Sequence, residues 1–221
     1  MEYRHEWKYQ ISYEDLLILR QRLRLIMQLD PHASNGSYHI RSLYFDTPMD
    51  TALQEKKDGV SRREKFRIRY YNMDPSVIRL EKKSKWAGLG NKQSAELTMQ
   101  QVQNLIDGNL SWMQDRRDLV GELYEKMQST LLSPRVVVDY MREPYVFAPG
   151  NVRVTLDYDI RTSWNCSDFL REDCLTLPTE PVYLMEVKWD AFLPDIIRDA
   201  ICLEGRRSAA FSKYAQCRMY G

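Results

Sequence analysis

The 221-residue chain has no run of about 18 apolar residues, so no membrane-spanning helix is expected. Its opening, Met1 to Glu6, has no apolar stretch behind a basic one, so no secretory signal is expected and a cytoplasmic location is the default. The four cysteines, Cys166, Cys174, Cys202 and Cys217, make no C-x-x-C pair, and without a secretory signal they are expected as reduced thiols. The three histidines, His5, His32 and His39, lack metal-ligand spacing, which argues against zinc and leaves a hard cation on carboxylates. Charge of one sign is also missing. With 32 basic and 31 acidic residues the net charge is +1, which argues against a general nucleic-acid coat. Repeats, low-complexity tracts and Gly/Ser linkers are absent, so one domain over residues 1–221 is expected.

What is present is a succession of short strands. Strands are expected near 2–11, 38–46, 62–72, 76–85, 134–143, 151–160 and 181–189. A helix is expected over 13–29 behind a Ser12 cap, with Asp15 in its first turn and Asp30-Pro31 at its end. Thr47-Pro48 reads as a cap with proline at the first helical position, and Gly59 closes that helix. Asn72 to Pro75 forms a turn. Residues 98–131 read as two helical pieces, capped by Thr98 and stopped at Gly108, and the tail over 194–220 as helix broken at Gly205. Strands outnumber helices, which gives an α+β class with an antiparallel sheet closed into a barrel.

Side chains alternate between the two faces of a strand, and here the polar faces are unusual in kind. Arg4, Glu6 and Lys8 stand opposite Tyr3, His5, Trp7 and Tyr9, which makes His5 a core histidine. Lys65, Arg67 and Arg69 stand opposite Phe66, Ile68 and Tyr70. Arg79, Glu81 and Lys83 form another such face, Tyr140 and Arg142 a fourth, Arg153 to Asp159 a fifth, and Glu186 with Lys188 a sixth. Any one of these could be a solvated face with cross-strand charge pairs. Their repetition opposite aromatic and aliphatic faces that helices must cover points instead to charged faces lining an interior. Buried charge without a partner is costly, so such an interior is wet or holds an anion. A polyanion is the expected ligand. Phosphoryl transfer fits it, because that chemistry asks mainly for positioning and neutralisation of phosphate oxygens.

The ordered set Glu6-x-Lys8-Tyr9, Ser42-Leu43-Tyr44-Phe45-Asp46, Lys65-x-Arg67-x-Arg69-Tyr70, Glu81-x-Lys83, Tyr140-x-Arg142, Arg153-x-Thr155-x-Asp157, Glu186-x-Lys188 and Phe211-Ser212-Lys213-Tyr214 covers nearly the whole chain. It resembles the catalytic domain of the vacuolar transporter chaperone (VTC) family, within the triphosphate tunnel metalloenzymes. The resemblance implies an eight-stranded antiparallel tunnel barrel with helices outside, and synthesis of polyphosphate from ATP with Mn²⁺ or Mg²⁺. It assigns phosphate binding and catalysis to Lys8, Arg67, Arg69, Lys83, Arg142, Arg153 and Lys188. Tyr140, Ser212 and Lys213 become substrate contacts, and Glu186 the metal ligand. Where simple triphosphatases of the superfamily open with Glu-x-Glu-x-Lys, this chain has Arg4-His5-Glu6-Trp7-Lys8, which leans toward a polymerase. The partners implied are ATP and polyphosphate, with no nucleic acid and no direct membrane insertion, and a membrane-protein partner would come from another chain. The alternatives are an inorganic triphosphatase or nucleotide hydrolase on the same fold, or a polyphosphate-binding module without catalysis. An RNA-binding face would interleave aromatics with the cations, whereas here the aromatics lie mostly opposite.

Overall fold

A computed structural model of the chain describes residues 4–86, 89–208 and 210–219. The first residues expected in the opening strand (2–3) and the last of the expected tail helix (220) lie outside these. In chain order the elements are β1 (His5–Ile11), α1 (Tyr13–Ile26), β2 (Gln28–Leu29), β3 (Tyr38–Asp46), α2 (Thr51–Lys57), β4 (Arg63–Tyr71), β5 (Asp74–Trp86) and β6 (Leu89–Leu97). They continue with α3 (Met99–Ile106), α4 (Leu119–Thr130), β7 (Ser133–Phe147), β8 (Val152–Ser163), β9 (Leu177–Pro178), β10 (Tyr183–Trp189), α5 (Asp195–Ala200) and α6 (Lys213–Met219). The chain divides into two compact units. The first comprises the residues up to His39 with Tyr140–Ile160 and Pro178–Ser212; the second comprises Ile40–Asp139, Arg161–Leu177 and the residues from Lys213.

In the first unit β1, β10 and β8 pair antiparallel, from His5 opposite Trp189 to Ile11 opposite Tyr183, and from Leu184 opposite Asp157 to Lys188 opposite Arg153. The Ser12 hydroxyl accepts from the Asp15 amide at 3.1 Å while the Asp15 carboxylate accepts from the Ser12 amide at 2.9 Å, a capping box that starts α1. Leu16, Leu19 and Leu23 recur at helical spacing and are fully buried in one cluster with Val154, Leu156, Met185 and Val187. Each such leucine contributes roughly 1.5–3 kcal/mol of burial. The helix is shorter than the 13–29 expected. Met27 leaves it, and Gln28 and Leu29 pair with Val146 and Tyr145, which satisfies their backbone in a ladder instead.

In the second unit β3, β4, β5 and β6 pair in sequence order. The β4–β5 turn is tighter than Asn72 to Pro75: Asn72 and Met73 both adopt positive φ, 52° and 57°, and pairing resumes at Asp74 opposite Tyr71. Thr98 caps α3 in a second capping box with Gln101. Helices α3 and α4 bury Val102, Leu105, Val120 and Leu123 with Leu43, Phe45, Phe66, Ile68 and Leu80. Thr47-Pro48 does not start a helix. The α2 helix begins at Thr51, because the buried Asp46 carboxylate accepts from the amides of Thr47, Ala52 and Leu53 at 2.8, 2.8 and 3.1 Å and serves as its cap from a distance. Residues 201–208 and 210–212 of the expected tail helix lie outside α5 and α6.

The α+β class and the antiparallel sheet hold. The expected eight strands and their closure do not: the sheet has ten strands, eight on a path that begins at β1 and ends at β6 and two off it, β2 on β7 and β9 on β8, and among the described residues no ladder joins β1 to β6. Two strands, β2 and β9, are two-residue pairings too short to read from pattern, and β6 carries polar residues on both faces. Alternation reveals a charged face, but not whether a strand path returns on itself. Among the described residues no helix is long and apolar enough to cross a membrane.

Candidate functional site

In each unit helices pack on the apolar face of the strands, where the charged Glu143 and Lys82 meet Arg20 of α1 and Glu122 of α4; cross-strand rows of charged side chains occupy the other face. In the first unit the register sets Lys8, Glu186 and Thr155 in one cross-strand row and Glu6, Lys188 and Arg153 in the next. The rows produce a charge lattice. Lys188 Nζ lies 2.7 Å and Lys8 Nζ 3.9 Å from Glu186 Oε1, Arg142 lies 3.6 Å from Glu186 Oε2, and Lys8 Nζ lies 2.8 Å from Glu6. Arg142 forks onto the buried Asp157 at 2.6 and 2.7 Å, with the Tyr140 ring centroid 5.5 Å from its guanidinium carbon. Arg153 donates to Asp30 at 3.0 Å. Burial pushes the Glu186 carboxyl up, but a hydrogen bond with Glu6 and the charges of Lys188, Lys8 and Arg142 outweigh it and hold it well below its ordinary value.

In the second unit three cross-strand rows follow one another along β4, β5 and β6: Lys65, Lys83 and Lys92; Arg67, Glu81 and Ser94; Arg69, Arg79 and Glu96. Six cations share these rows with two carboxylates. Arg67 donates to the buried Glu81 at 2.6 Å and to the Tyr44 hydroxyl at 3.0 Å. Arg69 donates to the Tyr71 hydroxyl at 3.2 Å and lies 3.9 Å from Glu81, which Lys92 also contacts. Burial of Glu81 favours its neutral form, yet Arg67, Arg69 and Lys92 drive its carboxyl far below the ordinary range. Burial likewise opposes ionisation of the Tyr44 phenol, but Arg67, Arg69 and Lys213 bring it down.

These depressed carboxyls set an acid limit. Their unfolded values are about 4, so in ionised form they stabilise the fold at neutral pH, and that contribution is lost as pH falls from about 5 toward the folded values. Melting temperature should therefore drop between about pH 5 and 3. A Glu81→Gln chain should melt lower than wild type at pH 7 and show a shallower acid slope. Equal slopes would remove Glu81 from this account.

Of the residues read from sequence, Lys8, Arg142, Arg153, Lys188 and Glu186, with Tyr140, fall in the first unit, and Arg67, Arg69, Lys83 and Lys213 in the second. Ser212 is half-buried just before α6. Tyr44 accepts a hydrogen bond from Arg67. One assignment, His5 as a core histidine, changes. His5 is exposed and stacks on Trp189 at 5.2 Å between centroids, because its strand face is only partly covered. Arg206 pairs with Asp15 at 2.7 Å. Arg4 pairs with Asp190 at 2.8 Å and with the Asn151 carbonyl. Sequence reasoning missed Lys92, whose signal was the lysine opposite it in β5. The four cysteines are free thiols, Cys202 exposed and Cys174 and Cys217 buried.

The donor set bears on a metal. Among the described residues no group of three or more His, Cys, Asp or Glu side chains could form a protein-only cage. Glu186 and Glu6 adjoin, and Glu186 Oε1 is buried without an aligned hydrogen bond. That fits a hard divalent ion that takes one or two carboxylates from protein and its remaining ligands from phosphate oxygens and water.

A family model described as the VTC domain matches residues 3–220. A solved structure of a Bacillus halodurans protein, named as a candidate adenylate cyclase, is similar at TM-score 0.52 with 16% identity, covering 85% of this chain and 80% of that one. The PH1819 protein of Pyrococcus horikoshii matches at TM-score 0.44 with 14% identity, covering 90% and 84%. No curated protein matches the chain.

Proposed function

We propose that this chain, which belongs to the VTC domain family, is a metal-dependent polyphosphate polymerase that transfers the terminal phosphoryl group of ATP to a growing phosphate chain. The observation that carries the reading is the set of three rows in the second unit. Like charges directly opposite one another destabilise a sheet, and a lysine row beside two arginine-bearing rows needs a counter-charge that two carboxylates do not supply. A polyanion supplies it.

Arg67 and Arg69 present planar forks to phosphate oxygens, and Lys83 adds a point charge. In the first unit Lys8, Lys188, Arg142 and Arg153 do the same, with Tyr140 packed against Arg142 to fix its plane. Ser212 and Lys213 contact the substrate chain. Each set holds phosphate groups, neutralises their mutual repulsion and orients them, which is most of what phosphoryl transfer asks of a protein. Glu186, with Glu6, would hold Mn²⁺ or Mg²⁺, which when bound adds Lewis-acid charge at the phosphate oxygens.

The test is incubation with ATP and Mn²⁺, followed by electrophoresis that separates polymer from free phosphate. Polymer is expected, with slow release of phosphate from tripolyphosphate. Rapid release from tripolyphosphate and no polymer from ATP would make the protein a triphosphatase; binding of polyphosphate with neither product would make it a binding module.

A further inference from the structure

Lys65 is half-buried in β4, and among the described residues no carboxylate oxygen lies within 4.0 Å of its ammonium. The ammonium sits 4.8 Å from the ring centroid of Tyr214 in α6, itself buried, tilted against the Tyr44 ring at 5.3 Å and hydrogen-bonded to Asp46. The groups facing it are Tyr44 and Asp46 from β3, Glu55 and Lys56 from α2, Arg63 from its own strand, Lys83 from β5 and Tyr214. Burial pushes its pKa down to about 8; Tyr44 and Asp46 work against that, and Lys56 and Arg63 add to it. A cation–π seat is worth about 0.5–2 kcal/mol, which does not explain placing a lysine among three other cations. Asp46 and Glu55 act on it only from beyond 4.0 Å, and what the arrangement lacks is an anion in contact with the ammonium.

We propose that Lys65 is a further phosphate-binding residue, which takes a phosphate group of the same polyanion beside those held by Arg67 and Lys83. This rests on the polyphosphate reading above. The ligand class is a linear condensed phosphate rather than a lone orthophosphate, because Lys65, Arg67 and Arg69 recur every second residue along one strand face and match a repeating anion. Binding must then return a proton to the fraction of Lys65 that is neutral near pH 8, whereas the always-charged arginines take up none.

The full chain would be titrated calorimetrically with tripolyphosphate near pH 8 in two buffers of different ionisation enthalpy, so that proton uptake is read directly. Wild type should take up more protons than Lys65→Met, and Lys65→Met should bind about tenfold more weakly. Lys65→Arg, which keeps the charge, should bind as wild type does yet match the lower proton uptake of Lys65→Met. Protons belonging to tripolyphosphate itself are common to all three chains and cancel in the comparison. Equal affinity and equal proton uptake in wild type and Lys65→Met would overturn this inference alone, with the wider site intact. Failure of wild type to bind tripolyphosphate would overturn the polyphosphate reading and this inference with it.

Discussion

Glu186→Gln should lower metal-dependent turnover about 10²- to 10³-fold while polyphosphate binding survives. Glutamine keeps the volume and one carbonyl oxygen but loses the charge that a divalent ion needs. The cations that would grip the phosphates stay in place: Lys8 keeps Glu6 at 2.8 Å, and Arg142 keeps its fork on Asp157. The same substitution leaves Lys188 and its neighbours short of one negative charge, so the ligand-free chain should lose about 1–3 kcal/mol of stability. An added polyanion replaces that charge. Polyphosphate should therefore raise the melting temperature of Glu186→Gln by more than it raises that of wild type. This separates two roles that a loss of activity alone would confuse. Wild-type turnover at limiting Mn²⁺ would show that Glu186 serves only as a counter-ion.

The charged faces were legible because a strand repeats every two residues, and cations at Lys65, Arg67 and Arg69 stay on one side whatever the strand pairs with. Which carboxylate answers which cation was not legible, because that depends on register. Asp157 reaches Arg142 from another strand, and nothing in the local sequence of either marks the pair. The lysine row needed β6 to be recognised as a strand. Its sequence, Leu89 to Leu97, has Asn91, Gln93 and Ser94 where a half-buried strand would show apolar alternation, and most of it is exposed. The α2 boundary was missed for a similar reason: Asp46 caps at a distance of several residues, and the local Thr-Pro pattern imitates a start that the fold does not use. Capping boxes at Ser12 and Thr98, by contrast, close within three residues and were readable directly.

Arg67→Met should weaken polyphosphate binding about 10²-fold and destabilise the fold by about 3 kcal/mol, two effects with different origins. The stability loss comes from Glu81, which is 2% exposed in its side chain and would keep only Arg69 at 3.9 Å and Lys92. A buried carboxylate with its closest partner gone costs more than the intact pair contributes. Replacing that carboxylate as well, in Arg67→Met with Glu81→Gln, removes the uncompensated charge and should recover most of the stability. The binding loss has another source, the missing guanidinium fork, which the second substitution does not return. Binding should therefore remain weak in the double variant even as its melting temperature recovers. Tyr44 is an internal marker, since its phenol is held down chiefly by Arg67 and Arg69 against burial, and its titration should move to higher pH in both variants. Recovery of binding together with stability would mean that Arg67 acts only as the partner of Glu81, and the phosphate would have to be held by Arg69 and the lysine row.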